Sequence, residues 1–216
     1  MAVCPDTPPA FASAAVLNTE ILNDGGTIVL MSHLGRPKGE RNDKYSLRHI
    51  VGEVEKVLGK KVIFVEDCVG EVAEKAVAAA PAGSVILLEN LRYHKEEEKG
   101  DEGFSKELAK LGDIYVNDAF GTAHRAHAST TIVAKFFPES KCFGYLLAKE
   151  IESIDKVMKS GVGQHGQMAQ TAHAHHGFRI EAVPIKSNYE LPSGLKVALV
   201  RDDSAVLSIV SRETMN

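Results

Sequence analysis

Between Thr27 and Ser160, short apolar runs alternate with segments of helical period, and no other feature constrains the fold as strongly. Thr27–Met31 (TIVLM) is a compact apolar run framed by Gly25-Gly26 and Ser32. Ser46 then stands where a helix N-cap belongs, ahead of Leu47, Ile50, Val51, Val54, Val57 and Leu58 at 3-4 spacing, and Gly59 sits at the C-cap position. Lys61–Val65 is a second strand pattern. Gly70–Ala80 follows as an Ala-rich helix with Val72, Ala76 and Val77 expected on one face, broken by Pro81-Ala82-Gly83. Ser84–Leu88 and Asp113–Asn117 are third and fourth strands, separated by a short helix marked by Phe104, Leu108 and Leu111. Leu147, Ile151, Ile154, Val157 and Met158 outline a last amphipathic helix. Strands that alternate with helices pair in parallel and are covered on both faces. The expected fold is therefore α/β: a three-layer, Rossmann-like parallel sheet with helices on both sides.

The two ends read differently. Met1 to Leu17 has no clear period, and Gly161 opens a stretch rich in Gly, His and Gln. The expected division is an atypical segment 1–24, a domain 25–160, and an unrelated tail 161–216, disordered or partly β. In that tail Leu195–Val200 and Ala205–Val210 read as short strands.

The bulk composition excludes several functions. A net charge of −4 gives no global field for nucleic acid or an anionic membrane, so basic chemistry must be local. With no Trp and 6% aromatic residues, a stacking platform for single-stranded nucleic acid is not expected. No apolar run is long enough for a membrane-spanning helix, and the opening residues lack the pattern of a signal peptide. Three scattered cysteines fit a reducing cytoplasm better than a disulfide framework.

Ligands of open parallel sheets collect at the carboxyl ends of the strands. Here those positions carry Ser32–Gly39, Asp67–Gly70, Glu89–His94 and Asn117–His127. Three of the four segments hold Arg together with His: Arg36 with His33, Arg92 with His94, and Arg125 with His124 and His127. The guanidinium fork matches pairs of phosphate or carboxylate oxygens, and neighbouring glycines let backbone N–H groups approach an anion. This pattern points to a site for a small polyanion. The competing reading is a set of surface arginines in unrelated ion pairs. The run Lys95–Lys99 (KEEEK) reads as a solvated face.

The segments SHLGRPKG, DCVGE, LLENLRYHKEEE, GDIYVNDAFGTAHRAHAS and GYLLAKEI occur in the order and spacing found in phosphoglycerate kinases. The chain resembles the N-terminal, 3-phosphoglycerate-binding domain of that family over about two-thirds of its length. The resemblance implies that His33, Leu34, Gly35, Arg36, Arg92 and Arg125 bind substrate, and that Lys149-Glu150 begins the helix leading to the interdomain hinge. It further implies phosphoryl transfer between 1,3-bisphosphoglycerate and ADP, with Mg-ATP or Mg-ADP held by a second domain. A cytoplasmic monomer with a small-molecule substrate is expected, without nucleic acid, membrane or resident metal. Such catalysis rests on positioning and charge stabilisation, so basic groups rather than a nucleophile are expected here.

Both ends depart from the family. The opening strand's Arg-x-Asp-Phe-Asn-x-Pro motif is not found between Met1 and Asp24, so the first strand is expected to be missing. The nucleotide-domain motifs Gly-Gly-x-Lys-Val, Gly-Pro-x-Gly and Gly-Gly-Gly do not occur after Ser160. A chain of this kind is expected to bind 3-phosphoglycerate weakly and to be inactive alone. The alternatives are a non-catalytic small-anion-binding or interaction protein, and a truncated product without function. Two tail features are decoys. Gly161-x-Gly163-x-x-Gly166 has the dinucleotide spacing but follows a helix rather than a strand, and His173, His175 and His176 lack further ligands for a closed metal site.

Overall fold

The computed structural model describes residues 17–122, 124–160 and 196–200. Six parallel strands form one sheet: β1 (Thr27–Met31), β2 (Val62–Val65), β3 (Val85–Leu88), β4 (Ile114–Asn117), β5 (Lys141–Phe143) and β6 (Lys196–Val200). Their order across the sheet is β2-β3-β1-β6-β4-β5. The α-helices are α1 (Val51–Leu58), α2 (Gly70–Ala79), α3 (Lys95–Lys99), α4 (Glu102–Ala109) and α5 (Tyr145–Ser160), and residues 17–23 are also helical.

Side chains of a strand alternate between faces, and the core divides accordingly. Val29, Met31, Ile86 and Leu88 face a layer containing Ala73, Val77, Phe104 and Leu108. Ile28, Leu30, Val85 and Leu87 face Leu17, Ile21, Leu47, Ile50 and Val54. Burial on both sides explains why β1 and β3 read as unbroken apolar runs rather than alternating ones. The three-layer α/β architecture expected from the sequence is the one observed.

Local chemistry sets the boundaries. The Ser46 hydroxyl accepts from Arg48 N at 3.2 Å and starts a 3-10 turn, Leu47–Ile50, which runs directly into α1. Asp101 caps α4 through its bond from Phe104 N at 2.8 Å. In α2, the buried residues are Ala73 and Val77, whereas Val72 is 55% exposed. Val77 and Ala76 of the expected face do pack on the core, while Ala73 takes the place expected of Val72: in a helix so rich in alanine, little contrast marks the edge of the buried face. β5 and the π-turn Ala128–Ile132 were not expected, because neither carries a periodic pattern long enough to show.

The expected strand Leu195–Val200 appears as β6 and lies inside the sheet, five residues paired with β1 and four with β4. The other expected tail strand, Ala205–Val210, and the glycine and histidine features at 161–176 lie outside the described residues. No helix among the described residues is long and apolar enough to cross a membrane.

Leu108 is fully buried and links α4 to the β3 face of the sheet. Leu108→Ala is expected to lower the unfolding free energy by about 2–5 kcal/mol, read from urea denaturation of the full chain. A change below ~1 kcal/mol would contradict this packing.

Candidate functional site

Because all six strands run the same way, their C-terminal loops emerge at one edge. The loops after β1 and β3 are stitched together there. Leu91 N donates to Ser32 O (3.1 Å), and Asn90 Nδ2 donates to Leu34 O and Tyr45 O (2.8 Å each). Gly39 N donates to Arg92 O at 3.2 Å, and Arg92 Nη1 donates to Gly35 O at 2.9 Å. Gly35 holds φ +63°, and a Cβ there would stand 2.6 Å from the Tyr45 ring, so only glycine fits. The backbone carbonyls of Leu34 and Gly35 therefore anchor the β3 loop.

A buried carboxylate fixes this corner. Glu89 accepts from Ser46 Oγ (2.6 Å), Leu47 N (2.8 Å) and Asn90 N (2.8 Å). Three donors meet the requirement of a charge that is only 4% exposed. The helical segment after Ser46 is thereby pinned to the end of β3.

The basic residues differ in exposure. Arg92 is buried at 8%, with Glu98 Oε1 at 3.7 Å from its Nε, and His33 is buried at 6%. Arg36, which follows Gly35, is exposed, as are His124 and Arg125. Arg125 N donates to Thr122 O at 3.0 Å, and its Nε approaches His124 Nε2 at 3.1 Å. His127 connects the two sides. Burial is the main cause that pushes its imidazole below the usual 6.5, and the positive charge of Arg92 comes next. Glu98 opposes the shift, while Arg125 and His124 add to it. One imidazole thus senses arginines from the β3 and β4 loops, which places those loops in the same field. Arg36 follows Gly35, whose carbonyl Arg92 holds, and is itself exposed.

Three acidic residues of this region escaped the sequence reading. Asp118 Oδ1 accepts from Leu146 N (2.9 Å) and Leu147 N (3.3 Å), so the end of β4 caps the first turn of α5. At the same turn the Tyr145 hydroxyl donates to the Glu20 carboxylate, which with burial pushes the phenol up to about 12. Glu97 corrects the expectation of a solvated KEEEK run. It is 2% exposed and accepts from Ser129 N (3.0 Å) and Ser129 Oγ (2.6 Å). Burial raises its carboxyl pKa, opposed by the Ser129 bonds and by Arg92. A cap aspartate after a strand leaves a recognisable trace in sequence, namely a short spacer and then a helical period. A glutamate turned inward from a charged run leaves none.

Among the described residues, Asp67, Cys68 and His94 form a grouping whose ligand atoms lie within 4.8 Å of one another. His94 Nε2 lies 2.8 Å from Asp67 Oδ1, and Arg41 Nη2 donates to Asp67 Oδ2 at 3.3 Å. Burial, with help from Asp67, drives the Cys68 thiol well above its usual range. The carboxylate is already occupied by cationic and imidazole partners, and the thiol resists deprotonation. These residues join the β2 and β3 loops and do not form the all-oxygen shell that magnesium takes.

The phosphoglycerate kinase family model matches residues 12–165. The chain belongs to the phosphoglycerate kinase family. The phosphoglycerate kinase of Moorella thermoacetica is 53% identical over 138 residues, covering 64% of this chain and 35% of the relative. The cytosolic phosphoglycerate kinase of Triticum aestivum is 52% identical over 132 residues, covering 61% of this chain and 32% of that protein. The solved phosphoglycerate kinase of Pyrococcus horikoshii superposes with a TM-score of 0.59 at 30% identity, over 70% of this chain and 38% of that one. The structure from Coxiella burnetii gives 0.57 at 33% identity, over 67% and 35%. The chain thus spans about a third of the length of these phosphoglycerate kinases. The strand β6 lies outside the family match.

The lowered His127 pKa has a pH consequence. The unfolded chain takes up a proton near 6.5 and the folded chain only lower, so this group's contribution to stability is complete above 6.5 and falls away below it. An NMR titration should place the His127 midpoint below 6.5, and Arg125→Gln should move it upward. Urea unfolding should show a smaller stability loss between pH 7.5 and 5.5 for His127→Gln than for the unaltered chain. A His127 midpoint at or above 6.5 would contradict the buried, cationic surroundings.

Proposed function

We propose that residues 25–160, joined by Lys196–Val200, form the 3-phosphoglycerate-binding part of a phosphoglycerate kinase. The convergence of the β1, β3 and β4 loops at one edge supports this reading, with Arg92 tied to Gly35 and both Arg92 and Arg125 acting on His127. A ligand bearing a phosphate and a carboxylate needs two separated cationic groups, and the two half-sites offer them. In this reading Arg125 and Arg36 are the exposed arms that close on the anion. Arg92 and His33 form the fixed floor, and Leu34-Gly35 holds the floor in place.

The reaction served is phosphoryl transfer between 1,3-bisphosphoglycerate and ADP in glycolysis, in the cytoplasm, by a monomer. The Mg-nucleotide supplies the transferable phosphoryl group and a divalent charge. In this reading its place is the second domain that the family resemblance implies, and the Asp67, Cys68 and His94 grouping, with its thiol and imidazole, is not taken as a magnesium site. This part of the protein contributes binding, orientation and positive potential for the substrate oxygens. By itself it turns over no substrate.

Calorimetric titration of 3-phosphoglycerate into the full chain at low salt should show one saturable site. Arg125→Ala, at an exposed position, should weaken binding about 10- to 100-fold, the value of one hydrogen bond to a charged group. An affinity unchanged by Arg125→Ala would overturn the assignment of that residue. Production of ATP from 1,3-bisphosphoglycerate and ADP at ordinary kinase rates would overturn the claim that this chain is inactive alone.

A further inference from the structure

The sheet consists of two subsheets joined through a single strand. On one side β2, β3 and β1 are hydrogen-bonded in that order, and on the other β4 pairs with β5. β1 and β4 are not neighbours; β6 lies between them and pairs with both. His33, Arg36 and Arg92 belong to loops of the first subsheet, and Arg125 belongs to the second. The two halves of the anion site are thus joined, at the level of sheet hydrogen bonds among the described residues, by Lys196–Val200 alone. That strand is separated from α5 by residues 161–195 and falls outside the family match.

The seat of β6 is closely defined. At its start, Asp113 N donates to Lys196 O (2.8 Å) and Lys196 N donates to Asp113 Oδ2 (2.9 Å), a two-point clamp on the entering strand. In its middle, Ala198 is 1% exposed and sits over Gly112, where a Cβ would stand 2.7 Å from that of Ala198. Only a small residue fits at 198. At its end, Val200 pairs with both Met31 and Asn117, the last residues of β1 and β4. The final rung of β6 is therefore the last fixed spacing before the two halves of the site diverge into loops.

Adjacent strands lie about 4.8 Å apart, so β6 holds β1 and β4 about 9.6 Å apart. Without it, the halves must either close by about 5 Å or leave two rows of unpaired backbone groups facing the gap. Closing shifts Arg125 relative to Arg92 by about 5 Å, and the open gap leaves their spacing to contacts behind the sheet, such as Glu97 with Ser129. We propose that insertion of Lys196–Val200 between β1 and β4 assembles the anion site, and that anion binding in turn holds the segment in place. The reciprocity is required by linkage: whatever binds the joined form better also stabilises the joining strand. The ligand half of this proposal rests on the 3-phosphoglycerate reading, whereas the geometric half does not.

The test uses the full chain, hydrogen exchange and NMR. Ala198→Glu cannot be seated over Gly112 and should release residues 196–200, seen as rapid exchange there with β3 amides still protected. In that variant the His127 imidazole should titrate closer to 6.5, because it is less buried and feels the Arg92 charge less. With the unaltered chain, saturating 3-phosphoglycerate should slow exchange of 196–200 at least tenfold, and Ala198→Glu should bind it at least tenfold more weakly. Asp113→Ala, which opens only the entry clamp, should shift strand exchange and His127 in the same direction to a smaller degree, and it serves if Ala198→Glu fails to fold. Release of 196–200 with His127 unchanged would overturn the proposal whether or not ligand binds. Release with unchanged 3-phosphoglycerate affinity, or no slowing of 196–200 at saturation, would overturn it as well. If the unaltered chain binds no 3-phosphoglycerate, the ligand reading fails, and the His127 comparison still decides the geometric claim.

Discussion

Everything in this molecule depends on the strands running in one direction. A parallel sheet cannot be closed by tight hairpins, so each strand must be followed by a crossover, and all crossovers leave from the same edge. Three basic segments, at Arg36, Arg92 and Arg125, emerge at that edge for this reason, not because they attract one another. Like charges repel, and their meeting has to be enforced by apolar burial on both faces of the sheet.

Backbone and acid groups then give the edge its shape. Glu89, Glu97 and Asp118 are almost fully buried, and each is satisfied by backbone N–H or hydroxyl donors from another element. Each ties one loop of the site to a helix or turn behind it. At the surface, Glu98 sets a carboxylate 3.7 Å from the Arg92 guanidinium. Arg92 can therefore be buried while Arg36 and Arg125 remain exposed. A buried arginine beside two exposed ones suits the proposed recognition of a small, doubly charged substrate.

The sequence was most legible where burial is two-sided and periodic. β1, β3 and β4 were found within a residue of their ends, because such strands are unbroken apolar runs between turn signals. α2 was located correctly and Val77 and Ala76 pack on the core as expected, but Val72 is exposed and Ala73 buried in its stead, since alanine carries little hydrophobic contrast to orient a helix. Glu97 was hidden by its charged neighbours, and β5 is too short to give a pattern. Strand ends and family motifs lead to the expectation of an anion site, whereas the contacts that hold those loops join residues far apart in the chain, as in Arg92 to Gly35, 57 positions apart, and have no local signature. The position of β6 is the extreme case. Leu195–Val200 reads as a strand, but nothing local says that it enters the centre of a sheet built from residues 27–143.

The central claim is that three loops from two subsheets form one binding site. Amide chemical-shift mapping of the isotopically labelled full chain during a 3-phosphoglycerate titration tests it most directly. The account expects the shifts to concentrate at residues 33–36, 90–94 and 121–127 and to saturate together at a single concentration. Shifts confined to one loop, saturating separately, or lying at the opposite edge of the sheet would contradict it.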